Sequence, residues 1–240
     1  YDVTYACSPE LKEFFKLSPD LDDIDLTSKI PDTQAFDYRA FLMSLPWLMS
    51  NFQEFRLSDP LKIDFNRLDE RHLKINSEIK KSLNSKKLKI GLAWSGSPKH
   101  MRDFCRSIDL TLLKDVLDTP NVEFFALQKV FKDDDKKFLK EFKNVNDCTD
   151  NLKDFLHTAY FAEKMDIIFT VDTSLVHMAG TMNKKTFLFL PKIPDYRWGL
   201  NNNQKWYPSV SLLRQEKLSD WKKPIKDCQK IINNSLSSCS

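Results

Sequence analysis

Residues 88–240 predict an α/β fold, a Rossmann-like half-domain with a parallel sheet covered on both faces. The first ground is alternation: short β-branched or aromatic runs are separated by helix candidates of 8–14 residues. The second is that Ser, Thr or Asp follows an apolar strand directly and opens a helix, as in Asp172-Thr173-Ser174. The third is glycine, of which there are only four: Gly91, Gly96, Gly180 and Gly199. A chain so poor in glycine should keep it where the backbone needs positive φ or close approach.

Taken in order, Val3–Cys7 reads as a strand, Pro9–Leu17 as a helix and Ile24–Leu26 as a short strand. Ala40–Leu48 is apolar but holds Pro46, so it reads as a short helix or a buried loop. Residues 1–60 then form the remnant of an N-terminal α/β domain. Asp64–Asn84 carries Leu68, Leu73, Ile75, Ile79 and Leu83 among charges, and predicts a helix within an interdomain linker, 61–87. Strands are expected at Leu88–Trp94, Val122–Leu127, Asp166–Val171, Thr186–Leu190 and Ser209–Leu213. Helices are expected at Leu110–Leu117, Asp133–Phe142, Leu152–Lys164, Leu175–Met182 and Ser219–Ile232. In Leu152–Lys164, the residues Leu152, Phe155, Leu156, Ala159 and Ala162 recur at helical spacing, capped by Asn151 or Asp150.

Composition removes several function classes. Hydrophobic residues make up 41% and charged residues 30%, which excludes disorder and collagen-like repetition. No apolar run reaches the roughly 18–20 residues of a membrane helix, so no integral membrane segment is expected. The net charge of +3 is too small to argue for nucleic acid. Its distribution is uneven: residues 1–60 carry −6 and residues 61–240 carry +9. The later segment therefore suits an anionic ligand, although most of its lysines read as solvated helix faces. Five cysteines without CxxC, and four histidines at no metal spacing, fit free thiols in a reducing compartment. The chain opens at Tyr1 with neither a basic nor an apolar leader segment, so the cytoplasm is the expected location.

In doubly wound sheets, ligands sit outside the carboxyl ends of the strands. Three loops there carry chemistry. Trp94-Ser95-Gly96-Ser97-Pro98-Lys99-His100, with Arg102 and Arg106, offers small residues and cations for a phosphate. It matches neither a Walker loop nor GxGxxG, and an ordinary βα turn accounts for it equally. Asp172-Thr173-Ser174 puts a helix N-terminus, with its unpaired N–H groups, at the sheet edge. His177 lies one turn further on, on the side of Thr173 and Ser174. Gln128-Lys129 follows a third strand, where Lys129 is either a diphosphate counter-ion or a surface charge. Beyond Leu190, Pro194-Asp195-Tyr196-Arg197-Trp198-Gly199 offers Arg197 and Trp198 to a base or sugar, with packing of Trp198 the alternative. Neither GxSxG nor a Cys with an evident partner His supports nucleophilic hydrolysis.

Four segments share an order and spacing: GLAWSGSPKHMRDFCRSIDL (91–110), FFALQK (124–129), CTDNLKDFLHTAYFAEKMDIIFTVDTSLVHMAG (148–180) and LPKIPDYRWGLNNNQKWYPSVSLLRQ (190–215). Together they resemble the C-terminal domain of heptosyltransferase-like (family 9) glycosyltransferases, in the bacterial branch often fused to tetratricopeptide repeats. The resemblance covers about 88–215 and, more loosely, the residues before it. It implies a GT-B-like fold, with a nucleoside-diphosphate sugar held mainly by the C-terminal domain, 88–240. It carries diphosphate contact to Asp172, Thr173, Ser174 and His177, and further donor contacts to Ser95, Gly96, Arg106, Gln128 and Lys129. Asp195, Arg197 and Trp198 match its PDWRW segment, whereas Phe104 stands where a basic residue is usual and Arg102 is the possible substitute.

The implied reaction moves a sugar from that donor to an acceptor hydroxyl on a glycan, lipid-linked saccharide or protein, with no cofactor and no required metal. Acceptor recognition and the catalytic base belong, in relatives, to an N-terminal part that residues 1–60 match only near its end, so no catalytic residue is assigned here. The competing expectation is a non-catalytic module that binds a nucleotide sugar or a partner.

Overall fold

The computed structural model describes residues 2–45, 48, 59–68, 73–101, 103–130, 132–201 and 206–238. Residues 88–238 form the expected α/β unit. Its strands are β3 (Leu88–Ala93), β4 (Val122–Ala126), β5 (Val145–Asp147), β6 (Ile167–Val171), β7 (Thr186–Leu190) and β8 (Val210–Arg214). They pair in the order β5-β4-β3-β6-β7-β8, every pair parallel. The chain thus starts in the middle of the sheet, winds outward to β5, then crosses back to β6. That reversal puts the topological switch between β3 and β6, where the loops that follow them part to opposite sides and leave a crevice.

Burial on both faces explains the near-continuous apolar strands. Ile90, Leu92, Phe124, Phe169, Val171 and Phe189 share a core with Leu110–Leu117 and with Cys228 and Ile232. Their neighbours in sequence point the other way: Ala93, Phe125, Leu127 and Ile168 pack with Ala159, Phe161, Leu175 and Met178. The covering helices are α3 (Asp103–Arg106), α4 (Lys114–Leu117), α5 (Asp133–Leu139), α6 (Phe155–Lys164), α7 (Ser174–Thr181) and α8 (Lys222–Ser237). Helix α6 starts later than its apolar spacing predicts. The Asp154 carboxylate accepts from the His157 N–H at 2.9 Å and caps it, whereas Thr149–Asn151 forms a separate 3-10 turn. Strand β5, only three residues long and followed at once by polar residues, carries too short a run to be seen in advance.

The N-terminal unit is smaller. Strands β1 (Val3–Ala6) and β2 (Ile24–Thr27) pair in parallel across helix α1 (Pro9–Phe15). Phe14 of α1 enters the core beneath α6, so the two units share packed side chains. The linker is not one helix. It holds a 3-10 turn at Phe65–Arg67, a positive φ of 46° at Lys74, and helix α2 (Ser77–Leu83), capped by Asn76. Its tertiary bonds hold it extended: Leu61 N–H donates to Thr181 O, Lys62 N–H to Asp20, and Arg67 forks onto Asp22. Within 40–48, Leu42–Ser44 is a 3-10 turn and Leu45 and Leu48 are helical and half-buried, whereas Phe41 and Leu42 are exposed. Pro46 lies outside the described residues.

Among the described residues, no helix is long and apolar enough to cross a membrane. Cys7, Cys105, Cys148 and Cys228 are free thiols, and burial pushes the last two well above the ordinary thiol pKa. Cys239 lies outside the described residues.

Candidate functional site

The crevice between β3 and β6 is closed by one cation. Arg106 Nη1 donates to the Asp172 carbonyl at 2.6 Å, and its Nε donates to Asp103 at 3.1 Å. Asp103 in turn accepts from Ser107 Oγ at 2.9 Å, and Ser107 Oγ accepts the Gly96 N–H at 3.1 Å. The loop after β3 is therefore a closed ring of hydrogen bonds, with Ile108 N–H returning to the Trp94 carbonyl. At 96 a Cβ would collide with the Arg106 guanidinium and the Asp103 carboxylate, so glycine leaves room for that pair.

Gln128, almost fully buried at the end of β4, fixes this loop from the side. Its Oε1 accepts from Trp94 N–H at 3.1 Å and Ser95 N–H at 2.9 Å, while Nε2 donates to Ser95 Oγ and Val130 O. The N–H groups of Ser95 and Gly96 are thus occupied within the protein. What the loop presents to a ligand is the Arg106 guanidinium, not a ring of backbone donors. Arg102 lies outside the described residues, and Phe104 is exposed.

Beyond β6, Thr173 sits in extended conformation at φ −137° and its side chain does not cap α7. Ser174 is exposed at the first helical position. The Val176 N–H is taken by Thr173 O, which leaves the Ser174 and Leu175 N–H groups for the carboxyl edge. Asp172 is mostly covered, its carboxylate 4.0 Å from His177 Nε2. His177 is wedged among aromatics. Its ring stacks on Trp198 at 5.5 Å and 19°, and Nδ1 shares a 3.1 Å hydrogen bond with the Tyr207 hydroxyl. Burial lowers its pKa, with Asp172 opposing and Arg197 assisting, so imidazole is favoured over imidazolium near neutrality. Gly180 lies inside α7, where the Tyr207 ring occupies the space its Cβ would need.

Three expected residues stand apart from an open ligand contact. Trp198 is 1% exposed, so its packing role holds and it offers no open stacking face. Arg197 is drawn to Asp195 at 2.8 Å and lies over the Tyr196 ring at 4.7 Å, at the surface beside His177. Lys129 is exposed and donates to the Lys153 carbonyl at 3.0 Å, on the β5 side of the crevice. It would have to leave that bond to meet a ligand at α7.

The structure thus brings together Arg106, Asp172, Thr173, Ser174, His177 and Trp198, and leaves Lys129 apart. Sequence reading missed Tyr207, Asp103 and Ser107. Only the last two carry a signal, since Asp103-x-x-Arg106 and Asp103-x-x-x-Ser107 are helical i,i+3 and i,i+4 pairs. Among the described residues, no three His, Cys, Asp or Glu side chains gather as a metal-binding group. Compared with known proteins, the chain matches no family model and no curated protein.

Proposed function

We propose that the carboxyl edge of this sheet binds a nucleoside-diphosphate sugar, and that the protein is a GT-B glycosyltransferase of the heptosyltransferase-like kind. The observation that carries the binding is the pairing of an exposed helix N-terminus at Ser174 with the Arg106 cation, 2.6 Å from the Asp172 carbonyl. Helix N–H groups and a fixed guanidinium are the donors a diphosphate needs, and the switch point supplies the crevice. The sugar-transfer part rests on the motif resemblance alone.

In that reading, charge developing on the leaving diphosphate is met by the α7 N–H groups and Arg106, which are already oriented and need no rearrangement. His177, held neutral and locked between Trp198 and Tyr207, adds an uncharged hydrogen-bonding edge beside the phosphates. Gln128 acts one step back, by holding Ser95 and Trp94. A base on the acceptor side takes the hydroxyl proton and is not among the residues assigned here.

A second reading, a non-catalytic nucleotide-sugar-binding or interaction module, is favoured by the N-terminal unit. Among the described residues that unit's sheet has only two strands, β1 and β2. Calorimetric titration with UDP, GDP and ADP, each alone and as a nucleotide sugar, tests both. Saturable binding of one base, abolished in Ser174→Asp and weakened in Arg106→Ala, supports the site. Transfer of the sugar to an added acceptor hydroxyl, with release of the nucleoside diphosphate, separates the enzyme from the module. Unchanged affinity in both variants removes the site.

A further inference from the structure

Arg214 ends β8 in register with Leu190, on the same face of the sheet as Leu212 and Val210, the face that carries Trp198 and Val176 of α7. Its Nη2 reaches two backbone oxygens, Trp198 O at 3.3 Å and Asn201 O at 3.1 Å. The other two nitrogens, Nε and Nη1, are buried without a hydrogen-bond partner. Among the described residues, no Asp or Glu forms an ion pair with it, and burial alone acts on its pKa, downward. Arg214 is therefore a half-buried guanidinium at the carboxyl edge, with two covered donors to spare and, among the described residues, no counter-charge.

Trp198, whose backbone carbonyl accepts from Arg214, carries a second such donor. The Trp198 indole Nε1 is also buried and unpartnered, in a residue 1% exposed whose backbone carbonyl already binds Arg214. A partly covered cation without a counter-charge and buried donors without acceptors are both costly. Carbonyl oxygens of Trp198 and Asn201 offset part of the donor cost but supply no negative charge. An oxyanion would supply both. Trp198 stacks on His177 with its ring and contacts Arg214 through its carbonyl, so it links this cation to the α7 N-terminus.

We propose that Arg214, with the Trp198 indole N–H, forms a second anion subsite at the end of β8. It takes a carboxylate or phosphate oxygen, and, given the nucleotide-sugar reading above, that oxygen belongs to a second acidic group on the ligand anchored at Ser174. The half-buried Arg214 side chain opens to solvent at the edge of the sheet, where such a group would enter.

Thermal unfolding in sodium phosphate, against sodium chloride of equal ionic strength, tests the subsite without any nucleotide. Matching ionic strength removes general screening. The Ser174→Asp background silences the α7 site, so any phosphate shift that remains belongs elsewhere. A shift that persists in Ser174→Asp, disappears in Ser174→Asp/Arg214→Gln and partly returns in Ser174→Asp/Arg214→Lys supports the proposal. Arg214→Met serves where the Gln variant unfolds. A phosphate shift that is absent in Ser174→Asp, or is the same with and without Arg214, overturns it. The two readings fail separately. Loss of nucleotide binding leaves an Arg214-dependent phosphate shift standing, and an Arg214-independent shift leaves nucleotide binding at Ser174 standing.

Discussion

Arg106 and Asp172 stand 66 residues apart in sequence, yet the Arg106 guanidinium donates to the Asp172 carbonyl at 2.6 Å. The bond joins the two loops that diverge at the switch point, and it fixes the entry to α7. It also leaves the cation beside the helix N-terminus, where an anion would gain from both.

Removing that bond has a defined cost. Hydrogen bonds to charged groups contribute about 1.5–3 kcal/mol, and Arg106 makes them to both Asp103 and Asp172. Arg106→Ala is expected to lower stability by about that amount in urea unfolding. Its affinity for a nucleoside diphosphate should fall at least tenfold. Arg106→Lys should rescue neither fully, because an ammonium cannot fork between two acceptors held at fixed angles. Full rescue by Lys would mean that charge alone matters there.

Gln128 is expected to matter through stability before affinity. Gln128→Leu keeps the volume but leaves Trp94 N–H and Ser95 N–H buried without an acceptor. At about 1–3 kcal/mol for each unmet donor, unfolding should become easier by at least ~2 kcal/mol. Gln128→Glu retains the acceptor oxygens and buries a carboxylate, so it should be least stable at neutral pH and recover as pH falls. A Leu variant as stable as wild type would show that this side chain does not hold the loop.

Sequence reached the fold where burial on two faces dictates composition. Val122–Ala126 and Ile167–Val171 are apolar throughout because both of their faces are covered, and such runs are visible without a structure. The glycine argument held by close approach at Gly91, Gly96 and Gly180, and by positive φ at Gly199. It broke down where tertiary bonds override local pattern. Asp64–Asn84 has helical spacing, but Asp64 N–H is taken by Leu17 O and Arg67 by Asp22, which hold the first part extended. At the site, helix-terminal residues such as Thr173 and Ser174 were legible because capping is local. Tyr207 and Arg214 were not, since each reaches the site across strands or loops distant in sequence.

His177 sets a pH dependence. Burial holds its pKa below the unfolded value near 6.5, so the unfolded chain binds more protons in the interval between the two. Its contribution to stability is complete above about pH 6.5 and is lost as pH falls through the folded-state pKa. Asp172 and Asp195 oppose that shift, and Arg197 reinforces it. Urea midpoints measured between pH 5 and 8 should therefore fall on the acid side in wild type. The decline should be shallower in His177→Gln. Parallel curves for the two proteins would mean that other groups govern acid stability.

Gly180 gives the sharpest packing test, because a single methyl group meets a ring. A Cβ at 180 would lie 2.6 Å from Tyr207 Cδ1 and 2.8 Å from its Cβ, too close for any real contact. Gly180 sits inside α7, where alanine is otherwise the better helix former by about 1 kcal/mol. The two effects oppose each other, and overpacking typically costs 1–3 kcal/mol, so Gly180→Ala should be destabilising on balance. The displaced ring takes the Tyr207 hydroxyl from His177 Nδ1, and with it one of the contacts that orient the imidazole. Nucleotide affinity should fall along with stability. Tyr207→Gly removes the obstacle, Cβ included, so the Gly180→Ala/Tyr207→Gly double variant should be more stable than the sum of the two single losses predicts. Additive losses would mean that the helix, not the ring, sets the requirement for glycine at this position.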